Sequence, residues 1–325
     1  MRIFGLRWPL WATLVPLLAA MGAYAWWWQG RLDAYRAKII PWLGTGATYG
    51  GFPYRFQADA GPLTRTLVGT DTRLTLSVDR LTVDRQPWSA ALSVLGFAHP
   101  RIAAAAPGLM GASAALVAPQ GRASLDTAFG RLTRLSGEFT DAVVSTGLLP
   151  VPIHAHHFEM HVRETPVAPF LLPTGPRMPT QAEAVLRGEG VQLGGGDALA
   201  LEARLAVTAA SPLRSARGWA VQSGTVEISH LTLTDANGII VDANATIVPE
   251  AGGVLHVAGS LTTICPRSVL AAMTGQGAPR EYRARIPLRI AFGGPVGAVV
   301  PLTQPSGLGA FTVRAQEMPC PVLRR

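Results

Sequence analysis

The chain predicts a mainly β protein, with one or more long, curved antiparallel sheets of meander type, a single N-terminal transmembrane helix and few short helices. Three observations carry that prediction. An uncharged apolar run sits near the N-terminus, apolar residues recur at every second position beyond Gly44, and the alternating segments are divided by closely spaced turn residues.

The apolar run is Trp8 to Trp28, 21 residues without a charge, between Arg7 and Arg31. At about 1.5 Å per residue a helix of that length reaches roughly 30 Å, the thickness of a bilayer core. Trp8 and Trp11 mark one end and Trp26, Trp27 and Trp28 the other, the pattern of an interfacial aromatic belt. Ala23-Tyr24-Ala25 also fits the small-residue cleavage site of a signal peptide, but the run is longer than an ordinary signal core. Arg2 and Arg7 precede it and Arg31, Arg36 and Lys38 follow, so charge counting alone leaves the orientation undecided. The short arginine-bearing tail favours a cytoplasmic N-terminus. The expected location is the inner membrane, single-pass, with the large domain in the periplasm. Leu32 to Trp42 continues the helix until Pro41 and Gly44 end it.

Beyond the anchor, Tyr54, Phe56 and Ala58 alternate with Arg55, Gln57 and Asp59, and Leu74, Leu76 and Val78 with Arg73, Thr75 and Ser77. Leu81 and Val83 continue the second pattern after a phase slip, which predicts a bulge. Leu199, Leu201 and Ala203 oppose Glu202 and Arg204, and a second slip falls at Ser229-His230. Residues 239–248, 254–264, 285–292 and 309–315 read as successive strands. Asp235 to Gly238, Glu250 to Gly253 and Gly293-Gly294-Pro295 supply turns too short for anything but antiparallel pairing. Pro266 to Met273, with Gly275 after it, predicts a short helix. Five prolines between Pro166 and Pro179 exclude a strand or helix interior there. The expected organisation is an anchor and its extension over 1–43, a first β-rich half over 44–165, a proline-rich loop over 166–180 and a second β-rich half over 181–325.

Composition narrows the chemistry. The net charge is +8, yet the arginines are scattered and no basic helix or aromatic RNA-binding signature accompanies them, so a nucleic-acid partner is not expected. A diffuse basic surface suits anionic head groups instead. Lys38 is the only lysine, and it occupies no phosphate-loop, kinase or Schiff-base context. His154, His156, His157, Glu159 and His161 are the one cluster with metal-ligand residue types. On a strand, however, His157, Glu159, His161 and Arg163 form an ordinary polar face, and the order is not that of a zincin helix. No metal, cofactor or catalytic residue is assigned, and a metal-dependent hydrolase at His157, Glu159 and His161 stays a weak alternative. Cys265 and Cys320 are the only cysteines; in an oxidising compartment they pair, and otherwise they are two buried thiols.

Gly50-Gly51-Phe52-Pro53-Tyr54-Arg55-Phe56 follows the anchor closely. Gly218-Trp219-Ala220-Val221-Gln222-Ser223-Gly224-Thr225-Val226 leads into Leu231-Thr232-Leu233, and a strand–turn–strand runs from Val241 through Gly253 to Leu261. Together these resemble the bacterial family filed as domain of unknown function 2125, with Gly51, Phe52, Pro53, Tyr54 and Arg55 as its specific motif. The resemblance implies a membrane-anchored envelope protein without established activity, distantly similar to AsmA-like proteins that present an apolar groove to lipid. In the residues themselves the motif is a turn into an edge strand, with Phe52, Tyr54 and Phe56 as packing anchors. The expected role is non-enzymatic, holding or guiding an apolar ligand such as membrane lipid along the sheet. A structural or assembly module with a closed core, meeting other envelope proteins, is the alternative.

Overall fold

The computed structural model describes residues 14–89, 91–110, 112–128, 131–147, 149, 151–165, 180–208, 215–250, 252–277, 279–302 and 318–324. The expected strand at 309–315 and the tryptophans Trp8 and Trp11 lie outside these residues.

Helix α1 (Leu14–Leu43) changes character at Tyr24. From Leu14 to Ala23 every side chain is exposed. From Tyr24 onward a single stripe, Tyr24, Trp28, Leu32, Tyr35, Ile39 and Leu43, packs onto the sheet at the three-and-four spacing of one helix face. Trp28 is 6% exposed and does not face the surroundings, whereas Trp26 is 82% exposed and Trp27 41%. The three tryptophans therefore do not form one belt, because consecutive helical residues point roughly 100° apart. Among the described residues no helix is long and apolar enough to cross a membrane. The first six residues of the 8–28 run lie outside that set.

Strand makes up 55% of the described residues. A short β1 (Thr48–Gly50) pairs with β2 (Phe56–Ala60). Four long strands then form a meander, each broken once near its middle. They are β2 with β3 (Leu63–Val68), β4 (Arg73–Val78) with β5 (Arg80–Arg85), β6 (Leu92–Ala98) with β7 (Arg101–Ala105), and β8 (Ser113–Val117) with β9 (Gln120–Ala128). The long β10 (Arg131–Thr146) spans both β9 and β8. After it come β11 (Ile153–Glu164), β12 (Thr180–Leu193), β13 (Leu199–Thr208), β14 (Val226–Asp235), β15 (Gly238–Pro249), β16 (Leu255–Thr263), β17 (Leu288–Pro295) and β18 (Val300–Pro301). Every one of these pairs is antiparallel. The strands flanking the proline-rich segment pair directly, Arg163 opposite Glu183, so both halves of the chain share one sheet.

The breaks fall in a line. Counted along the register, Pro62, Asp79, His99, Pro119, Asp141, His156 and Gly190 stand opposite one another on seven neighbouring strands. His99, Asp141 and Gly190 have positive φ (48°, 48° and 62°), and the two prolines remove ladder donors. Each strand carries one extra residue at this level, so its inward positions change parity. Leu76 and Val78 point inward on one side of the crease and Leu81 and Val83 on the other; likewise Ala142 and Phe139, and Ala155 and Phe158. The phase slip read at Leu81 is one member of this row. Because all seven strands slip together, pairing is preserved while the sheet bends. A separate register shift between Ile228 and Leu231 matches the slip at Ser229-His230.

Bending brings the tips of early strands to late ones. In the β7–β8 loop Leu109 packs on Trp219, and Met110 donates its N–H to Gly253 in the β15–β16 turn at 2.7 Å. Asp71, in the β3–β4 turn, accepts from the Ala216 and Arg217 N–H groups at 2.7 and 2.6 Å, closing the first turn of α2 (Ala216–Val221). These bonds hold the Asp71 carboxyl below the usual range, the Arg217 N–H contributing most.

At the other flank α3 (Pro266–Thr274) starts at a proline, ends on Gly275 with φ +71°, and packs Val269 against Ile240, Leu261 and Ile290. Cys265 and Cys320 form a disulfide with sulfurs 2.02 Å apart, tying residues 318–324 to this cluster. Arg283 is 2% exposed and pairs with Asp235, while its N–H donates to the Met318 carbonyl at 3.0 Å. Residues 281–284 serve this tie, and β17 begins at Leu288 rather than at Arg285.

Candidate functional site

Three groups of side chains stand out, and the first joins helix to sheet through the glycine-phenylalanine-proline motif. Gly51 sits at φ +101°, and a Cβ there would stand 2.4 Å from the Arg55 carbonyl oxygen, so the turn requires glycine. The Phe52–Pro53 peptide is cis. Phe52 meets Trp28 edge-on at 5.2 Å, Phe56 lies 5.7 Å from Trp28 and stacks on Tyr35 at 5.5 Å, and the Tyr24 hydroxyl donates to the Pro53 carbonyl at 2.6 Å. Tyr35 donates to Val83 O at 3.0 Å, and burial pushes its hydroxyl pKa well above the ordinary value. Tyr54 is 75% exposed and is not a packing anchor. Its neighbour Arg55 reaches Asp84 at 3.6 Å on the surface, a contact worth little. The motif is a clasp between α1 and β2.

The second group is the inward face. Ala58, Val83, Leu95, Ala123, Gly137, Met160, Leu186, Ala203, Leu231, Ala243, Leu261 and Ile290 follow one another in register across twelve strands, a row without a polar side chain. Helix α1 covers its beginning and α3 its end. Between them Phe139, Phe158, Met160, Leu186 and Leu201 gather in a cluster that contains no helical residue among the described ones. Met160, Leu186 and Leu201 there are only half-buried. α2 is held at the margin by Trp219, 4% exposed, whose indole donates to Thr208 O at 2.9 Å. A Cβ on Gly224 would fall 2.0 Å from that indole nitrogen, which accounts for glycine in the second recognised stretch.

The third group is the outward face, one residue away on every strand. Arg122, Glu138, Glu159, Arg187 and Glu202 face each other in register across five strands. Two open concavities of about 540 and 590 Å³ lie on this face, one beside Arg122 and His157, the other beside His161 and Arg187. Glu159 separates them: His157 Nε2 lies 3.1 Å from one of its oxygens and His161 Nε2 3.5 Å from the other. The bond to His157, then that to His161, holds the Glu159 carboxyl below its usual range. The imidazoles approach the carboxylate from opposite sides along one strand, so they do not converge on a common point. Among the described residues no group of three or more His, Cys, Asp or Glu is arranged to hold a metal ion. His154, also in the cluster, bonds neither. His156 pairs instead with Asp141 at 2.8 Å on the crease.

The aligned bulges, the helix stripe and the Asp71 cap were not read from the sequence. The stripe was visible there, as the spacing of Tyr24, Trp28, Leu32, Tyr35, Ile39 and Leu43. A family model described as an uncharacterized protein conserved in bacteria (DUF2125) matches residues 42–262. Neither the curated proteins nor the solved structures contain a match.

Proposed function

We propose, for a chain that belongs to the DUF2125 family of uncharacterised bacterial proteins, a membrane-anchored role in the periplasm in which the inward face of the creased sheet holds or guides an apolar chain such as a lipid acyl tail. The observation that carries this reading is the half-buried stretch around Met160, Leu186 and Leu201 in the midst of a twelve-strand apolar row. Exposing such side chains to water forfeits about 25 cal/mol per Å², and an acyl tail laid along them recovers it. Support for the anchor comes from α1, whose residues 14–23 are exposed throughout and almost all apolar, continuing the uncharged run from Trp8.

The test is native mass spectrometry and solvent extraction of the full chain purified in mild detergent. Co-purified phospholipid is expected with the wild type and is lost in Met160→Glu and Leu186→Glu. Wild-type protein free of lipid refutes the reading. One observation favours the alternative of a closed assembly module: α1 and α3 already fill both flanks of the apolar face. A lipid-free chain in which Leu186→Glu unfolds the sheet would establish it.

A further inference from the structure

We infer that the β1–β2 and β5–β6 loops form, with the middle of α1, a foot that sits in the head-group region of the bilayer and fixes the tilt of the sheet above it. The inference rests on the anchor reading and adds a second, independent membrane contact. Both loops are pinned to the same stretch of helix. Tyr24 bonds Pro53 and Trp28 meets Phe52, while one turn further Arg31 Nη2 donates to Pro87 O at 3.4 Å. The residues displayed by these loops are Phe52, Tyr54 and Trp88, which are 53%, 75% and 63% exposed. Trp26 and Trp27, 82% and 41% exposed, project from the same turn of the helix, where the Tyr24 ring lies 5.6 Å from Trp27 and 6.0 Å from Phe52.

Five large aromatics held in the open at the level where an apolar helix meets a sheet are costly in water. In the interface they are favourable, because their rings are apolar and the indole and phenol groups find polar partners there. Charge is distributed to match. Arg31 lies 6.0 Å from the Trp27 ring and Arg36 lies 5.3 Å from Tyr49, so cations lie on the sheet side of the aromatics, where phosphate groups would meet them. Residues 14–23, on the opposite side, carry no charge. The order from apolar to aromatic to basic along α1 is the depth profile of a bilayer leaflet.

The test uses the full chain in vesicles of phosphatidylethanolamine and phosphatidylglycerol. Tyr54→Cys and Trp88→Cys are labelled with an environment-sensitive fluorophore; the native cysteines are bonded to each other, so each new thiol is the only target. Ile239→Cys, beside the β14–β15 turn at the opposite strand ends, is the reference. Quenching by shallow spin-labelled lipid at least twofold greater at 54 and 88 than at 239, with reduced iodide quenching, is expected. Vesicle-bound protein in which all three labels behave alike overturns the foot and leaves the anchor standing. Protein that fails to float with the vesicles overturns the anchor and the foot together.

Discussion

Truncating Trp28 to alanine tests whether the motif clasps the helix to the sheet. The indole is 6% exposed and contacts two rings, Phe52 at 5.2 Å and Phe56 at 5.7 Å. Each ring pair contributes about 0.5–1.5 kcal/mol beyond burial, and emptying a site of this size costs about 3–5 kcal/mol in all. Trp28→Phe keeps the ring contacts. It also loses no hydrogen bond, because the indole nitrogen has no partner among the described residues, so its cost stays under about 1.5 kcal/mol. Urea unfolding of the full chain in detergent, followed by the strand signal in the far ultraviolet, measures both. With a slope of about 3 kcal/mol per molar, Trp28→Ala moves the midpoint down by roughly 1 M or more. A cycle with Phe52→Ala should return a coupling of about 0.5–1.5 kcal/mol. Trp28→Ala within about 1 kcal/mol of wild type, or Trp28→Phe as costly as Trp28→Ala, refutes the clasp.

Replacing Cys265 and Cys320 by serine opens a loop spanning 55 positions, and the chain-entropy relation sets the loss at about 4 kcal/mol, measured by denaturation with and without reductant. Arg283→Met leaves Asp235 buried without its cation and costs about 3–5 kcal/mol; adding Asp235→Asn should recover most of that, and a double variant no better than the single one contradicts the pairing. Gly224→Val drives a side chain into the Trp219 indole and should cost about 1–3 kcal/mol, with loss of near-ultraviolet tryptophan ellipticity. Asp71 and Glu159 both have folded pKa values below their unfolded ones, so their contribution is complete above about pH 5 and is lost as pH falls through the folded values. Asp71→Asn should therefore flatten the acid limb of a stability-against-pH curve, and an unchanged limb would show that the α2 cap is not formed.

Alternation along single strands was legible because burial of one sheet face acts residue by residue. Leu74, Leu76 and Val78 could be read that way, while the hairpin at Asp235 to Gly238 and the helix between Pro266 and Gly275 were marked by their turn and end residues. The crease could not. Pro62, Asp79, His99, Pro119, Asp141, His156 and Gly190 are ordinary turn or polar residues in isolation. Only cross-strand register, which no single strand encodes, shows that they lie at one level. The same limit hid the cap between Asp71 and α2, which joins residues 145 apart. The tryptophans were misgrouped for a different reason. An uninterrupted apolar run conceals which helix face is inward, and only the stripe continuing to Leu43 reveals that Trp28 belongs to the core. Among the histidines, the polar-face reading of His157, Glu159 and His161 agrees with the geometry, since strand alternation places all three on one side.

The proposal that the inward face meets lipid is tested most directly by a photoactivatable phenylalanine analogue placed at Leu186 and, separately, at Arg187. These neighbours differ by one position and point to opposite faces of β12. After irradiation in a bacterial host, mass spectrometry of the purified chain should find phospholipid joined to position 186 and none at 187. Equal adducts at both positions, or none at either, would contradict it.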